Sequence, residues 1–173
     1  MAELTRIFLS RSGEVECSAE DYWRALRDWN GIMNWWPKES PPMPIKSSSL
    51  KPGHSPDRVP CTRILQFDMS KLPPGFDTSA IPDQMQETLT YVDEESRTLY
   101  YTLEGKTPLG LRNYFAWTTV DSLGPNRARI TNSGRGDLPI EVPVDAILHL
   151  MGETFERGVI HGIAAYAARK RKG

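Results

Sequence analysis

Between Pro44 and about Asn132 the chain is written in one period, and the stretch after it in another. This switch constrains the fold more than any other feature. RVPCTRILQFD, QMQETLTYVD, RTLYYTLEG, LRNYFAWTTVD and NRARITNSG are runs of β-branched and aromatic residues, and turn-forming DEES, GKTPLG and SLGPN separate the later ones. Such runs predict strands, and spacings this short predict antiparallel neighbours. From Pro143 to Lys170 the apolar residues Leu148, Met151, Phe155, Val159 and Tyr166, with Gly162, fall instead on one helical stripe, and Pro143 suits the first turn. Gly152, Gly158 and Gly162 lie inside this helix. Each costs up to about 1 kcal/mol against Ala, so either something packs close to them or a space stays open beside them.

Ahead of these runs, Leu4 to Glu16 reads as a strand. CSAEDYWRALRDW reads as a helix, with Ser18 placed to cap the Asp21 amide and Glu20 and Asp21 in the first turn. NGIMNWWP is a second, shorter helix ended by Pro37, and IKSSSL a short strand. The order is strand, two short helices, six strands, long helix. It predicts an α+β fold: a curved antiparallel sheet of six to seven strands around a long C-terminal helix, with two short helices near the N-terminus. A sheet so curled encloses an internal ligand cavity unless large side chains fill it. No repeat and no linker divides the 173 residues, so residues 1–173 are expected to form a single domain. The segment DMSKLPPGFDTSAIPDQ, 68–84, is long for a hairpin loop and reads as a binding loop or lid.

Net charge is −1, which argues against a nucleic-acid partner, and the basic run ARKRK suits a helix C-terminus. The first residues lack the apolar core of a signal peptide, and no window holds the ~18 apolar residues a membrane span needs. A cytoplasmic protein is expected. Cys17 and Cys61 form no C-x-x-C and there are three histidines, so no metal site and no cofactor are expected. His149 and His161 sit beside the helical stripe, and His54 falls in a loop that could border a cavity.

In order and spacing, several short matches resemble one family. IKSSSL with CTR at 61–63, QETLTYVDEESR, LRNYFAWTTV and DLP at 137–139 are similar to successive strands of the plant abscisic acid receptors. The whole chain resembles the helix-grip superfamily, which includes START domains, birch-pollen-allergen-like proteins and the polyketide cyclase/dehydrase group. The gate position of the receptors holds the longer 68–84 segment here, and the latch position reads GKTPLGL without their His-Arg pair. The resemblance therefore implies a ligand-enclosing pocket, not hormone reception.

Strand alternation identifies what lines that pocket. Met85, Glu87, Leu89 and Tyr91 share one face, which makes Glu87 an acid on an apolar face. Cys61, Arg63, Leu65 and Phe67 share another, as do Leu99, Tyr101 and Leu103. The parity of IKSSSL is open, and the receptor resemblance implies that Lys46 faces the cavity and holds a ligand carboxylate. It also implies that Tyr114 and Asn132 point inward, which leaves Phe115 and Trp117 on the outer face. Either those rings pack in a homodimer contact or that parity is reversed. The expected site is Glu87, Lys46, Arg63 and Tyr114 for catalysis. Tyr101, Asn132, Phe67, Leu89, Met151, Phe155 and Val159 are expected to contact the ligand. Two cations against one carboxylate favour a small hydrophobic or amphipathic acidic molecule.

The chemistry this suits is proton transfer. Glu87, taken out of water, would act as general base on a C–H between two carbonyls, with Lys46 and Arg63 stabilising the enolate and Tyr114 donating to a second carbonyl. Ring closure of a poly-β-keto or polyene acyl chain, through oxygen or carbon, is the expected reaction. The alternative is non-catalytic binding or transport of an amphipathic acid, lipid or hormone-like ligand. A third reading is a lipid-binding regulator that docks another protein through residues 68–84.

Overall fold

In a computed structural model that describes residues 3–72 and 78–172, seven antiparallel strands form one sheet in the order β1-β7-β6-β5-β4-β3-β2. They are β1 (Leu4–Val15), β2 (Ile45–Leu50), β3 (Cys61–Phe67), β4 (Gln84–Asp93), β5 (Thr98–Glu104), β6 (Arg112–Gly124) and β7 (Arg127–Pro139). From β2 to β7, neighbours in sequence are neighbours in the sheet, as the short connections require. Between β1 and β2 lie α1 (Ala19–Arg27) and α2 (Ile32–Trp35). The C-terminal helix is α3 (Val144–Glu153), a π-helical stretch Thr154–Gly162, and α4 (Ile163–Lys172). This is the helix-grip architecture.

Local chemistry accounts for the elements. Ser18 Oγ accepts from the Asp21 amide at 3.0 Å and caps α1, whose first turn is acidic and last turn basic. The buried face of α1 carries Tyr22, Trp23, Ala25 and Leu26. Tyr22, fully buried, donates its hydroxyl to the Val159 carbonyl at 2.7 Å and ties α1 to the π-helical stretch. The three helix glycines mark close approaches. A Cβ at Gly158 would stand 2.6 Å from Trp36 Cζ3, one at Gly162 2.6 Å from the Trp35 carbonyl oxygen, and one at Gly152 3.2 Å from an Arg11 nitrogen. The α2 turn thus seats directly on the helix.

The concave face carries the core, including Leu65, Leu89, Leu99, Ala116, Ile130 and Leu138. Phe115 and Trp117 do face outward, as the receptor resemblance implies. They stack with neighbours across the convex face: Tyr91–Tyr100 at 5.3 Å, Tyr100–Phe115 at 5.4 Å, Phe115–Trp117 at 5.8 Å and Phe8–Trp117 at 6.2 Å. The Arg135 guanidinium lies over Phe115 at 5.5 Å. Cross-strand packing of this kind stabilises a sheet by itself. Tyr91 was expected beside Glu87 but is half exposed on this convex face, because the register shifts between Leu89 and Tyr91. Such a bulge adds a residue and reverses the alternation beyond it.

Candidate functional site

Beneath the helix, the concave face leaves a cavity of about 120 Å³. Its walls are mainly apolar: Trp35 and Trp36 from the α2 turn, Ile45, Leu65 and Phe67 from β2 and β3, Met85 from β4, and Met151, Phe155 and Val159 from the helix. Arg63, Glu87, Tyr101 and Tyr114 supply the polar wall. The cavity is small beside typical ligand pockets of about 300–1,000 Å³. An open groove of about 1110 Å³ adjoins it, and Leu103 and Leu111 line both. The groove runs between residues 79–84 and 103–113, the two places where the receptor resemblance puts gate and latch. Residues 73–77 of the expected lid lie outside the described residues.

Arg63 and Glu87 are direct cross-strand partners on β3 and β4. Nε and Nη2 of Arg63 reach Glu87 Oε2 at 2.7 and 2.5 Å, with side-chain exposures of only 7 % and 11 %. Nη1 donates to the Trp29 carbonyl at 2.8 Å, and the guanidinium lies 4.0 Å over the Trp29 ring. Among the described residues, no hydrogen bond ends on Glu87 Oε1. Tyr101 lies diagonally across from Glu87, and Tyr114 diagonally across from Tyr101. Burial, with Glu87 nearby, pushes both phenols well above their ordinary range, so both stay protonated. Asn132 is fully buried, and its Oδ1 accepts from Thr118 Oγ1 at 2.6 Å. That bond leaves its amide nitrogen on the Tyr101 side, without a partner at hydrogen-bond distance among the described residues.

Several expected site residues meet at this wall, and others do not. Arg63, Glu87, Tyr101, Tyr114, Phe67, Met151, Phe155 and Val159 line the cavity. Leu89 and Asn132 are buried on the same side but behind the lining. Lys46 corrects the expectation. It is exposed on the edge strand β2, where the register shifts between Ile45 and Ser47, and Ile45 turns inward in its place. The expected net positive charge goes with it, since among the described residues the one lining cation, Arg63, is paired with Glu87. Trp35, Trp36 and Ile45 also line the cavity, as does Met85 from the face it shares with Glu87; for the two tryptophans the nearest sequence signal is the glycine pair 158 and 162, where something packs close. His54 holds its loop, Nδ1 accepting from the Thr62 amide at 2.9 Å. Among the described residues no group of His, Cys, Asp and Glu could hold a metal, and no helix is long and apolar enough to cross a membrane.

The sequence matches, over residues 6–168, the family model described as "Polyketide cyclase / dehydrase and lipid transport". No curated protein matches it significantly. Among solved structures, norcoclaurine synthase from Thalictrum flavum, in complex with dopamine and hydroxybenzaldehyde, is similar at TM-score 0.67 and 18 % identity, covering 98 % of this chain and 90 % of that one. A Thermobifida fusca protein solved in solution is similar at 0.69 and 23 %, covering 94 % and 93 %. An aromatase/cyclase from a Streptomyces species is similar at 0.68 and 12 %, covering 96 % of each chain. At these identities the likeness is one of fold.

Proposed function

The chain belongs to the polyketide cyclase/dehydrase and lipid transport family, and on that premise we propose that it is a cofactor-independent tailoring enzyme. It closes a ring in a short poly-β-keto substrate by proton transfer at Glu87. The observation that carries this reading is the placement of that carboxylate: buried in an apolar cavity wall and fixed through Oε2 by Arg63, with no hydrogen bond to Oε1 among the described residues. Glu87 Oε1 takes a proton from carbon between two carbonyls, and the electron pair moves onto oxygen as an enolate. Attack through carbon on a second carbonyl gives an alkoxide that takes the proton back from Glu87, and loss of water then gives an aldol-derived ring; attack through oxygen on a terminal thioester carbonyl expels its thiolate, which takes that proton, and gives a lactone or pyrone. The cavity holds the two ends together, which supplies several kcal/mol towards closure. Its size suits one ring, not a long folded chain.

A second reading, a carrier of a small apolar molecule, is favoured by one observation. The Arg63–Glu87 pair is closed on itself, as a structural ion pair would be. One experiment separates the two. Short poly-β-ketone thioesters of N-acetylcysteamine are offered to the protein and to Glu87→Gln, with products identified by mass. Ring closure is expected to fall by at least about 10²-fold in the variant. Ligand affinity should stay within about tenfold, because the acid acts in the transition state. Loss of affinity with no turnover in either protein would leave the carrier.

A further inference from the structure

Proton removal by Glu87 leaves negative charge on a carbonyl oxygen, and neither expected cation is free to receive it. Lys46 is outside, and Arg63 directs its nitrogens at Glu87 and the Trp29 carbonyl. We propose that Tyr101 is the hydrogen-bond donor to the developing enolate oxygen, with Asn132 as the positioning residue behind it, and that the ligand is an uncharged enolisable carbonyl compound. This rests on the cavity being a ligand site.

The geometry converges on Tyr101. Its side chain lines the cavity diagonally across from Glu87, so one carbonyl group can present its α-proton to the acid and its oxygen to the phenol. Its ring is clamped between those of Trp29 at 5.6 Å and Tyr114 at 6.2 Å. Behind it, the small residues Ala116 and Gly134 face each other in register, with Tyr114 and Asn132 two residues away on the same two strands. Asn132 is locked by Thr118 and keeps a buried amide donor without a partner. A buried donor left so is costly unless something calls on it. As Tyr101 gives its proton towards an enolate, its own oxygen gains negative charge, and the Asn132 and Tyr114 donors meet that charge. Both already oppose the rise that burial and Glu87 impose on the Tyr101 hydroxyl, whereas Tyr114's own hydroxyl is raised further by its contact with Tyr101. No unpaired cation lines the cavity among the described residues, so a carboxylate would enter without a counter-charge.

The test uses 4-nitrophenol, a single ring whose phenolate absorbs apart from its phenol. Bound with its proton on Glu87, it reproduces the charge arrangement after proton transfer. At equal occupancy the wild type should hold a larger phenolate fraction than buffer of the same pH. Tyr101→Phe should cut the bound phenolate-to-phenol ratio about tenfold, and Asn132→Ala and Tyr114→Phe about threefold each. Cζ-labelled tyrosine reads the same contact in the unaltered protein, as a shift of the Tyr101 signal on probe binding. Benzaldehyde should bind at least about tenfold more tightly than benzoate. A bound probe whose ionisation and Tyr101 signal are unmoved, or benzoate binding as tightly as benzaldehyde, overturns the proposal and leaves the Glu87 reading standing. Failure of every probe to bind, by calorimetry, removes the ligand site and both readings with it.

Discussion

A Cβ at Gly134 would stand 3.0 Å from the Phe155 ring and from the Tyr114 hydroxyl, and 3.4 Å from Met151 Cε. This one hydrogen atom's width decides how deeply three cavity residues can sit. Gly134→Ala is expected to push them into the cavity, destabilise by about 1–2 kcal/mol and weaken 4-nitrophenol binding, read as a lower urea midpoint and a higher Kd. At this scale the sequence is informative where the strand is regular. Alternation alone puts Glu87 and Arg63 on the inner face, and the structure pairs them directly across two strands. Alternation fails at Tyr91, and the receptor resemblance fails at Lys46, each beside a register shift. A bulge is a cooperative property of two strands, and neither strand's text shows it.

Among the elements, the C-terminal helix shows most clearly what a linear pattern conveys and what it hides. Its apolar stripe and its glycines are plain in the text, but the π-helical winding of Thr154–Gly162 is not. Such windings are rare and gather at functional sites, and this one presents Thr154, Phe155 and Val159 to the cavity. It depends on contacts from elsewhere in the chain: the Trp35–Trp36 turn against Gly158 and Gly162, and Tyr22 on the Val159 carbonyl. Gly158→Ala is therefore expected to cost about 1–3 kcal/mol, although alanine favours helix by propensity. The loss should appear in denaturant unfolding together with a changed near-ultraviolet signal from Trp36, whose indole is otherwise held by the Met43 carbonyl at 2.7 Å. Unchanged stability would mean that the tryptophan turn yields easily.

For the molecule as a whole, the protons of the buried thiols and phenols are held more tightly in the fold than out of it. Burial raises Tyr22 and Tyr114 well above their ordinary range, Tyr101 likewise, and pushes the Cys17 thiol up to about 11 from 9.0. The unfolded chain loses these protons first, so it binds fewer of them and stability falls as pH rises. The fall should begin near pH 9, where Cys17 titrates in the unfolded chain, and steepen near pH 10, where the tyrosines do. Urea midpoints measured from pH 8 to pH 10.5 check this, and Tyr101→Phe should flatten the slope. Cys17 and Cys61, both buried, should react with a thiol reagent at pH 8 only after unfolding.

The strand that carries Lys46 is also one rim of the open sheet. Among the described residues no strand pairs with its outer edge, and a bare rim of that kind is a template on which a stray chain can add itself. Here the irregular step at Ile45–Ser47 spoils the even spacing such an addition needs, and the ammonium group of Lys46 would have to shed its water to let it happen. The residue left out of the chemistry thus raises the cost for a second chain to zip onto this rim.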